Sequence, residues 1–351
     1  MTDNSHRIIE QAKSDYGSNL VILAHHYQQD EVVRHADVIG DSLELSRKIA
    51  DLEAEHIVFC GVSFMAETAA ILARPGQKVY LPAPEAGCPM SEMAQGGLLA
   101  QVLARLNATG RRIIPLAYVN TQAAVKAVCG RFGGSVCTSA NAGTMLDWAL
   151  KQGDGVLFAP DRNLAHNTAD LLGIPESERV TLGISVENFE KSLSESGEPD
   201  AEKTADAKLI VWPGYCSVHE CFDTGHVERA RKESPDAKVI VHPECRPDVV
   251  RASDASGSTS SIIRYCRDAA EGSTIYIGTE IHLVKRLADQ YNGVKTIRPL
   301  MESSCADMAA TDAALLASVL SNLDAAEPET VPEETAAPAR TALERMLAAC
   351  A

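Results

Sequence analysis

Short apolar runs rich in Val, Ile and Leu recur along the chain, among them "NLVILAHH", "HIVFCG" and "KVYLPA". Consecutive apolar positions of this kind suit strands buried on both faces of a parallel sheet, which have no polar face to alternate with. Between them lie segments of helical period, such as "DSLELSRKIADLEA" and "FMAETAAILARPG". Together they predict βαβ units.

The rhythm restarts twice. "RRIIPLAYVN", "GSVCTSANAGTMLDWALKQG", "GVLFAPDRNLAHNTADLLG" and "KLIVWPGYC" form a second set. "KVIVHPEC", "ASGSTSSIIRYCRDAAEG", "TIYIGTEIHLVKRLADQYNG" and "VKTIRPLMESSC" form a third. The expected fold is α/β, with three pseudo-threefold-related repeats, each a small parallel sheet flanked by helices, around a central cavity. The boundaries run as follows: an N-terminal helix at 1–18, repeats at 19–108, 109–235 and 236–322 (the last with a closing helix), and an acidic linker and C-terminal tail at 323–351. The charged stretch at about 186–206 in the second repeat reads as a surface insertion, dispensable for chemistry.

Spacing turns the repeat into a register. Ser42 and Cys88 stand 17 and 63 residues after His25, and Thr259 and Cys305 stand 17 and 63 residues after His242. The middle repeat keeps the order with Tyr118, Ser139 and Cys216, at longer separations. Each repeat thus delivers a polar or aromatic residue after its first strand, a hydroxyl at a loop entering a helix, and a cysteine after its last strand. Ligands of open parallel sheets bind beyond the carboxyl ends of the strands, so the three sets are expected to meet in one cavity.

Composition narrows the chemistry. A formal charge of −16 without a basic block argues against nucleic acid as a partner. The longest apolar runs are too short to cross a bilayer, and the N-terminus lacks the apolar stretch of a signal peptide, so the expected location is cytoplasmic. Ten cysteines in a reducing compartment are core thiols, catalytic thiols or metal ligands rather than disulfides. Cys60, Cys129, Cys137 and Cys266 lie in apolar patterns and read as core. Cys88, Cys216 and Cys305 lie beside turn-forming residues in "AGCP", "PGYC" and "ESSC". Three thiolates without a fourth, and without CxxC spacing, fit a [4Fe-4S] cluster with one open iron better than closed structural zinc. The open iron would act as a Lewis acid. Ser42, Ser139 and Thr259 read as carboxylate or phosphate binders at helix entrances, with ordinary N-caps as the plain alternative. His25, Tyr27, Tyr118, Asn120, His242 and Glu244 supply proton donors, acceptors and a carboxylate.

The motifs "AHHYQ", "GDSLELS", "GCPM", "AYVNT", "CTSANA", "FAPDRNLA", "GYCSVHE", "HPEC", "GSTS" and "GTE", in this order and closed by Cys305, resemble the quinolinate synthase family over nearly the whole chain. The resemblance implies a transferase-type condensation of iminoaspartate with dihydroxyacetone phosphate to quinolinate, in NAD biosynthesis, with release of phosphate and water. It implies a [4Fe-4S] cluster on Cys88, Cys216 and Cys305, and substrate contacts from His25, Ser42, Tyr118, Asn120, Ser139, His242, Glu244 and Thr259. Glu244 is the first choice of general base, with Tyr27, His25 and His242 assisting. An L-aspartate oxidase or dehydrogenase would be the transient source of iminoaspartate. Two departures stand out: the insertion is longer than in compact members, and "SSCADM" lacks the extra nearby cysteines some members carry. The competing readings are another non-redox iron-sulfur hydro-lyase, an iron-sulfur redox or sensor protein, and a zinc-binding structural protein.

Overall fold

The computed structural model of the protein describes residues 2–184 and 204–350, so most of the insertion expected at 186–206 lies outside the described residues. The first sheet comprises β1 (Leu20–His25), β2 (Val38–Gly40), β3 (His56–Cys60) and β4 (Lys78–Tyr80). The second comprises β5 (Ile113–Tyr118), β6 (Ser135–Cys137), β7 (Gly155–Ala159), β8 (Arg179–Thr181) and β9 (Leu209–Val211). The third comprises β10 (Lys238–Val241), β11 (Ala255–Ser256), β12 (Thr274–Gly278) and β13 (Thr296–Pro299). Their orders are β2-β1-β3-β4, β6-β5-β7-β9-β8 and β11-β10-β12-β13. Numbered within each repeat, all three share the order 2-1-3-4, with β8 as the one added edge strand. The central strands β3, β5 and β7 are buried along their whole length, as helix-covered parallel strands require.

One backbone hydrogen bond recurs at the same place in every repeat. The first residue of the helix after the third strand donates its N–H to the carbonyl two residues before the repeat's cysteine. The pairs are Ser63 to Ala86 at 2.9 Å, Arg162 to Gly214 at 2.8 Å and Ile281 to Ser303 at 2.8 Å. Each cysteine is followed at once by a four-residue helix: Pro89–Glu92, Ser217–Glu220 and Ala306–Ala309.

The chain divides into two compact units. One holds Met1–Cys88, Gly225–Ile240 and Ser258–Val331; the other holds Pro89–Thr224, Val241–Gly257 and Pro332–Ala351. In the first unit, helix Thr2–Tyr16 inserts Ile9 and Ala12 into a core with Leu20, Ile22, Val58 and Leu316. Cys60 belongs to that core, and Cys129, Cys137 and Cys266 are buried as expected. Burial pushes the Cys60 and Cys129 thiols up to about 12, which keeps them protonated.

In the second unit, the stretch expected to be a tail contains helix Glu333–Ala349. It buries Ala336, Ala339, Ala342, Leu343 and Met346, an apolar stripe too narrow and alanine-rich to stand out in composition. Pro338 sits inside this helix and cannot donate to the Glu334 carbonyl four residues back. Arg131 donates to that carbonyl instead, at 2.6 Å. Beside it, Gly130 faces Pro338 so closely that a Cβ there would lie 1.8 Å from the Pro338 carbonyl oxygen.

Gly130→Ala is therefore expected to displace the C-terminal helix, lowering stability by roughly 1–3 kcal/mol. Gly97→Ala, on the exposed face of helix Gly96–Asn107 with nothing within 4 Å of its Cβ position, is expected to gain about 0.5–1 kcal/mol. Denaturant melts of the two variants check the contrast, and equal effects would exclude the close approach.

Candidate active site and cysteine set

His25 ends β1, and His242 directly follows β10. Both are buried, and both turn the chain in the same way. The N–H two residues on approaches the imidazole Nδ1, from Tyr27 at 3.2 Å and from Glu244 at 3.4 Å. The N–H three residues on, of Gln28 and of Cys245, donates to the His carbonyl at 3.0 Å. Tyr118 ends β5 in the second repeat, where Thr121 Oγ1 donates to its carbonyl at 3.0 Å. Tyr27, Asn120 and Glu244 therefore hold equivalent positions, two residues beyond each strand-end residue.

In the second unit these turns build a carboxylate–imidazole cluster. Glu244 Oε2 lies 3.0 Å from His242 Nδ1 and 3.3 Å from His219 Nδ1, and Tyr118 donates its hydroxyl to the same oxygen at 3.4 Å. The His219 and His242 rings stack with centroids 4.4 Å apart. Burial pushes the Glu244 carboxyl upward, but hydrogen bonding and charge from His219 and His242 outweigh it and hold the group below the usual carboxylate range. Nearby Asp161 moves the other way, driven well up by burial and by the charge of Glu244. Two contacts compete for His242 Nδ1. The carboxylate at 3.0 Å is closer and charged, so the proton sits on Nδ1 facing Glu244, and the 3.4 Å amide contact is secondary. His25 Nδ1 accepts from an amide, which puts the proton of the neutral ring on Nε2.

The turn carrying Glu244 is gripped by helix Arg162–Leu171. Asn163 donates to the Glu244 carbonyl at 3.1 Å, and Asn167 donates to the Pro243 and Cys245 carbonyls at 2.7 and 2.8 Å. Glu244 Oε1 and Asn120 Oδ1 are buried acceptors with no hydrogen-bond partner among the described residues. Such groups cost stability unless a ligand or water supplies a donor. Ser139 instead lines a cavity of about 680 Å³ together with Asn141, Thr144, Asn167 and Arg251.

In the first unit, Tyr27 shares a hydrogen bond with Thr279 at 2.7 Å and receives one from Thr259 at 3.4 Å. Ser42 and Thr259 each open a ten-residue helix without capping it. Asp41 and Ser258 are the caps, one position earlier, so the two hydroxyls are released from the plain N-cap role. Glu44 Oε2 ties these two helix entrances together by accepting from Ser260 at 2.7 Å and from the Asp41 N–H at 3.0 Å.

Cys88, Cys216 and Cys305 are each partly exposed, whereas Cys60, Cys129, Cys137, Cys245 and Cys266 are buried. With the shared hydrogen bond and the shared helical turn, they occupy one structural position in three repeats. A donor set of three thiols at loop ends suits a metal cofactor. Cys216, His219 and Glu244 also lie with one ligand atom each within 4.8 Å of one another, the one such group among the described residues. Within this group the carboxylate is also engaged by imidazole nitrogens.

Comparison with known proteins now decides the family. The sequence model of the family described as quinolinate synthetase A protein matches residues 7–348. The quinolinate synthase of Halobacterium salinarum is 42% identical over 347 residues, 97% of this chain and 90% of that protein. Those of Corynebacterium glutamicum and Geobacillus thermodenitrificans are each 43% identical, covering 98% and 96% of this chain and 87% and 91% of theirs. The chain belongs to the quinolinate synthase family. It is an enzyme by that membership, and no helix among its described residues is long and apolar enough to cross a membrane.

Sequence reasoning passed over His219, Asp161 and Asn163, although all three stand in quoted motifs of the quinolinate synthase family. The available signal was spacing: His219 lies three residues after Cys216, on the same helical turn.

Glu44 gives a pH prediction. Hydrogen bonding from His26 leads the causes that hold its carboxyl at about 2, with support from the Asp41 amide and Ser260. A depressed carboxyl stabilises the fold above its unfolded value, near 4.5, and the contribution is lost as pH falls toward 2. Its side chain is 48% exposed, so about 1 kcal/mol is expected after screening. Urea melts should show Glu44→Gln losing this much relative to the parent at pH 6 and only about a quarter of it at pH 2.5, and a constant gap would contradict it.

Proposed function

We propose that the protein condenses iminoaspartate with dihydroxyacetone phosphate to quinolinate, releasing phosphate and water, and that Cys88, Cys216 and Cys305 hold a [4Fe-4S] cluster. The observation that carries this reading is the set of three cysteines at one structural position, in a chain of this family. When bound, the cluster supplies one open iron as a Lewis acid for the oxygen lost in dehydration. The name of the relatives, quinolinate synthase, supports the product. An oxidase or dehydrogenase acting on L-aspartate would supply the unstable imine.

The side chains divide the remaining work. Ser42, Ser139 and Thr259, with Tyr118 and Asn120, hold the substrates' carboxylates and phosphate. The unpartnered Asn120 Oδ1 accepts from a substrate hydroxyl or imine N–H. Glu244 was the first choice of base, and its geometry refines that assignment. A carboxylate held below its usual range is a weak proton acceptor by itself. Its charge instead keeps the His242 proton on Nδ1, so that Nε2 is the ring nitrogen that takes a proton from carbon. His25, with its proton on Nε2, donates, and Tyr27 relays through the hydroxyls of Thr259 and Thr279.

A mononuclear metal on Cys216, His219 and Glu244 is the second reading, favoured by the close approach of their ligand atoms. Anaerobic reconstitution followed by iron and sulfide analysis separates the two. Each of Cys88→Ser, Cys216→Ser and Cys305→Ser is expected to lose the cluster, while Cys60→Ser and Cys266→Ser keep it. Metal retained by Cys305→Ser but lost from His219→Ala would establish the mononuclear site.

Glu244→Gln keeps the shape but removes the charge that orders His242. Turnover is expected to fall by about 10² or more with the cluster intact. Near-normal turnover in a cluster-loaded Glu244→Gln protein would move the proton acceptor elsewhere.

A further inference from the structure

The recurring hydrogen bond fixes which residues are equivalent just upstream of it. They are Val62, Asp161 and Glu280, each the residue before the helix that follows its repeat's third strand. Asp161 and Glu280 are both completely buried. Each caps its helix, Asp161 by accepting from the Leu164 N–H at 2.6 Å and Glu280 from the His282 N–H at 2.8 Å. Capping needs one oxygen, and burying a carboxylate for that purpose alone is costly when a serine or threonine would serve.

The second oxygen reaches the cysteine. Asp161 Oδ2 accepts the Cys216 N–H at 3.0 Å, and Glu280 Oε1 accepts the Cys305 N–H at 3.5 Å while also meeting His282 Nδ1 at 2.8 Å. Val62 in the first repeat has no side-chain acceptor, and the helix it precedes has no side-chain cap. There a different carboxylate serves: Asp307 Oδ1 accepts the N–H of Gly87, the residue before Cys88, at 3.1 Å. Three repeats thus reach the same result with two different solutions.

We propose that Asp161, Glu280 and Asp307 are positioning residues that clamp the main chain at Cys216, Cys305 and Cys88, holding each thiol loop in its ligating conformation before the metal arrives. This rests on the reading of those cysteines as cluster ligands. The clamp has two parts. The shared backbone bond fixes the carbonyl two residues before the cysteine, and the carboxylate fixes the N–H at or next to it. The main chain leading into the cysteine is therefore held at two points without using its sulfur. Outer-shell partners of this kind typically change metal affinity by 10–100-fold.

The test uses Asp161→Asn and Glu280→Gln, which keep size and one acceptor oxygen but place an amide N–H₂ where the second acceptor stood. Asp312→Asn is the control. Asp312 caps helix Ala313–Ser321 by accepting from the Leu315 N–H at 2.7 Å, so its variant reports what exchanging carboxylate for amide does at a plain cap. In the metal-free full-length protein, hydrogen exchange of the peptide around Cys216 should quicken about ten-fold in Asp161→Asn, and that around Cys305 in Glu280→Gln. Asp312→Asn should change neither. In the reconstituted protein, iron release to a chelator should be about ten-fold or more faster in both variants than in the parent and in Asp312→Asn. Exchange and release at parental rates in Asp161→Asn and Glu280→Gln would overturn the proposal, as would equal acceleration by Asp312→Asn. A parent protein that takes up no iron would overturn the ligand reading instead. The exchange result would then decide the clamp alone, faster exchange supporting it and unchanged exchange ending it.

Discussion

A single main-chain hydrogen bond underlies the architecture, the one by which the helix after each third strand captures the loop after the fourth. It costs the sequence nothing in side-chain identity, since Ser63, Arg162 and Ile281 are its donors. What it requires is that strands three and four lie in register and that the fourth ends where the helix begins. The parallel pairing supplies this: β3 with β4, β7 with β9, and β12 with β13 each run side by side. Once the loop is captured, the residue two positions past the accepting carbonyl is fixed in place. That residue is a cysteine in all three repeats.

The same geometry sets the surroundings of the strand-end residues. His25, Tyr118 and His242 stand at carboxyl ends of first strands, where the chain turns just after a last ladder bond, from His26 to the Gly40 carbonyl at 3.3 Å in the first repeat and from Val119 to the Cys137 carbonyl at 2.7 Å in the second. In two repeats the imidazole itself, alongside the carbonyl, meets the amides of the turn. The side chain that shapes the turn therefore has its protonation fixed by it. His242 departs from His25 because Glu244 replaces the tyrosine two residues on and takes possession of Nδ1. One difference at an equivalent position thus moves the proton of the neutral ring from one nitrogen to the other.

Much of this was legible in the sequence because repetition leaves a numerical trace. The equal spacings from His25 to Cys88 and from His242 to Cys305 identified the cysteines, and continuous apolar runs identified the strands. The burial of Cys60, Cys129, Cys137 and Cys266 follows the same logic, from their apolar surroundings in sequence. The residues that escaped notice act through contacts without a period. His219 and Asn163 reach Glu244 across tens of residues, and only the folded chain brings them there. The C-terminal helix was obscured for another reason: its buried face is mostly alanine, and its interior proline reads as a break. Neither the hydrogen bond that Arg131 donates to the Glu334 carbonyl nor the seat offered by Gly130 is written near it in sequence.

The acidic caps show how a repeat protein departs from symmetry while keeping a carboxylate on the main chain at each cysteine. Asp161 and Glu280 differ by one methylene, and the difference is visible in the distances to the cysteine amides, 3.0 Å against 3.5 Å. Glu280 shares its nearer oxygen with His282, whereas Asp161 has an oxygen for each amide it serves. Val62 contributes to the core instead, being almost wholly buried among apolar neighbours. A carboxylate at that site would need two donors to offset its desolvation. Supplying the acceptor from Asp307, two residues after Cys305, avoids that cost and links the loops of two cysteines directly. The first and third repeats are thereby coupled at their cysteines, whereas the second holds its own.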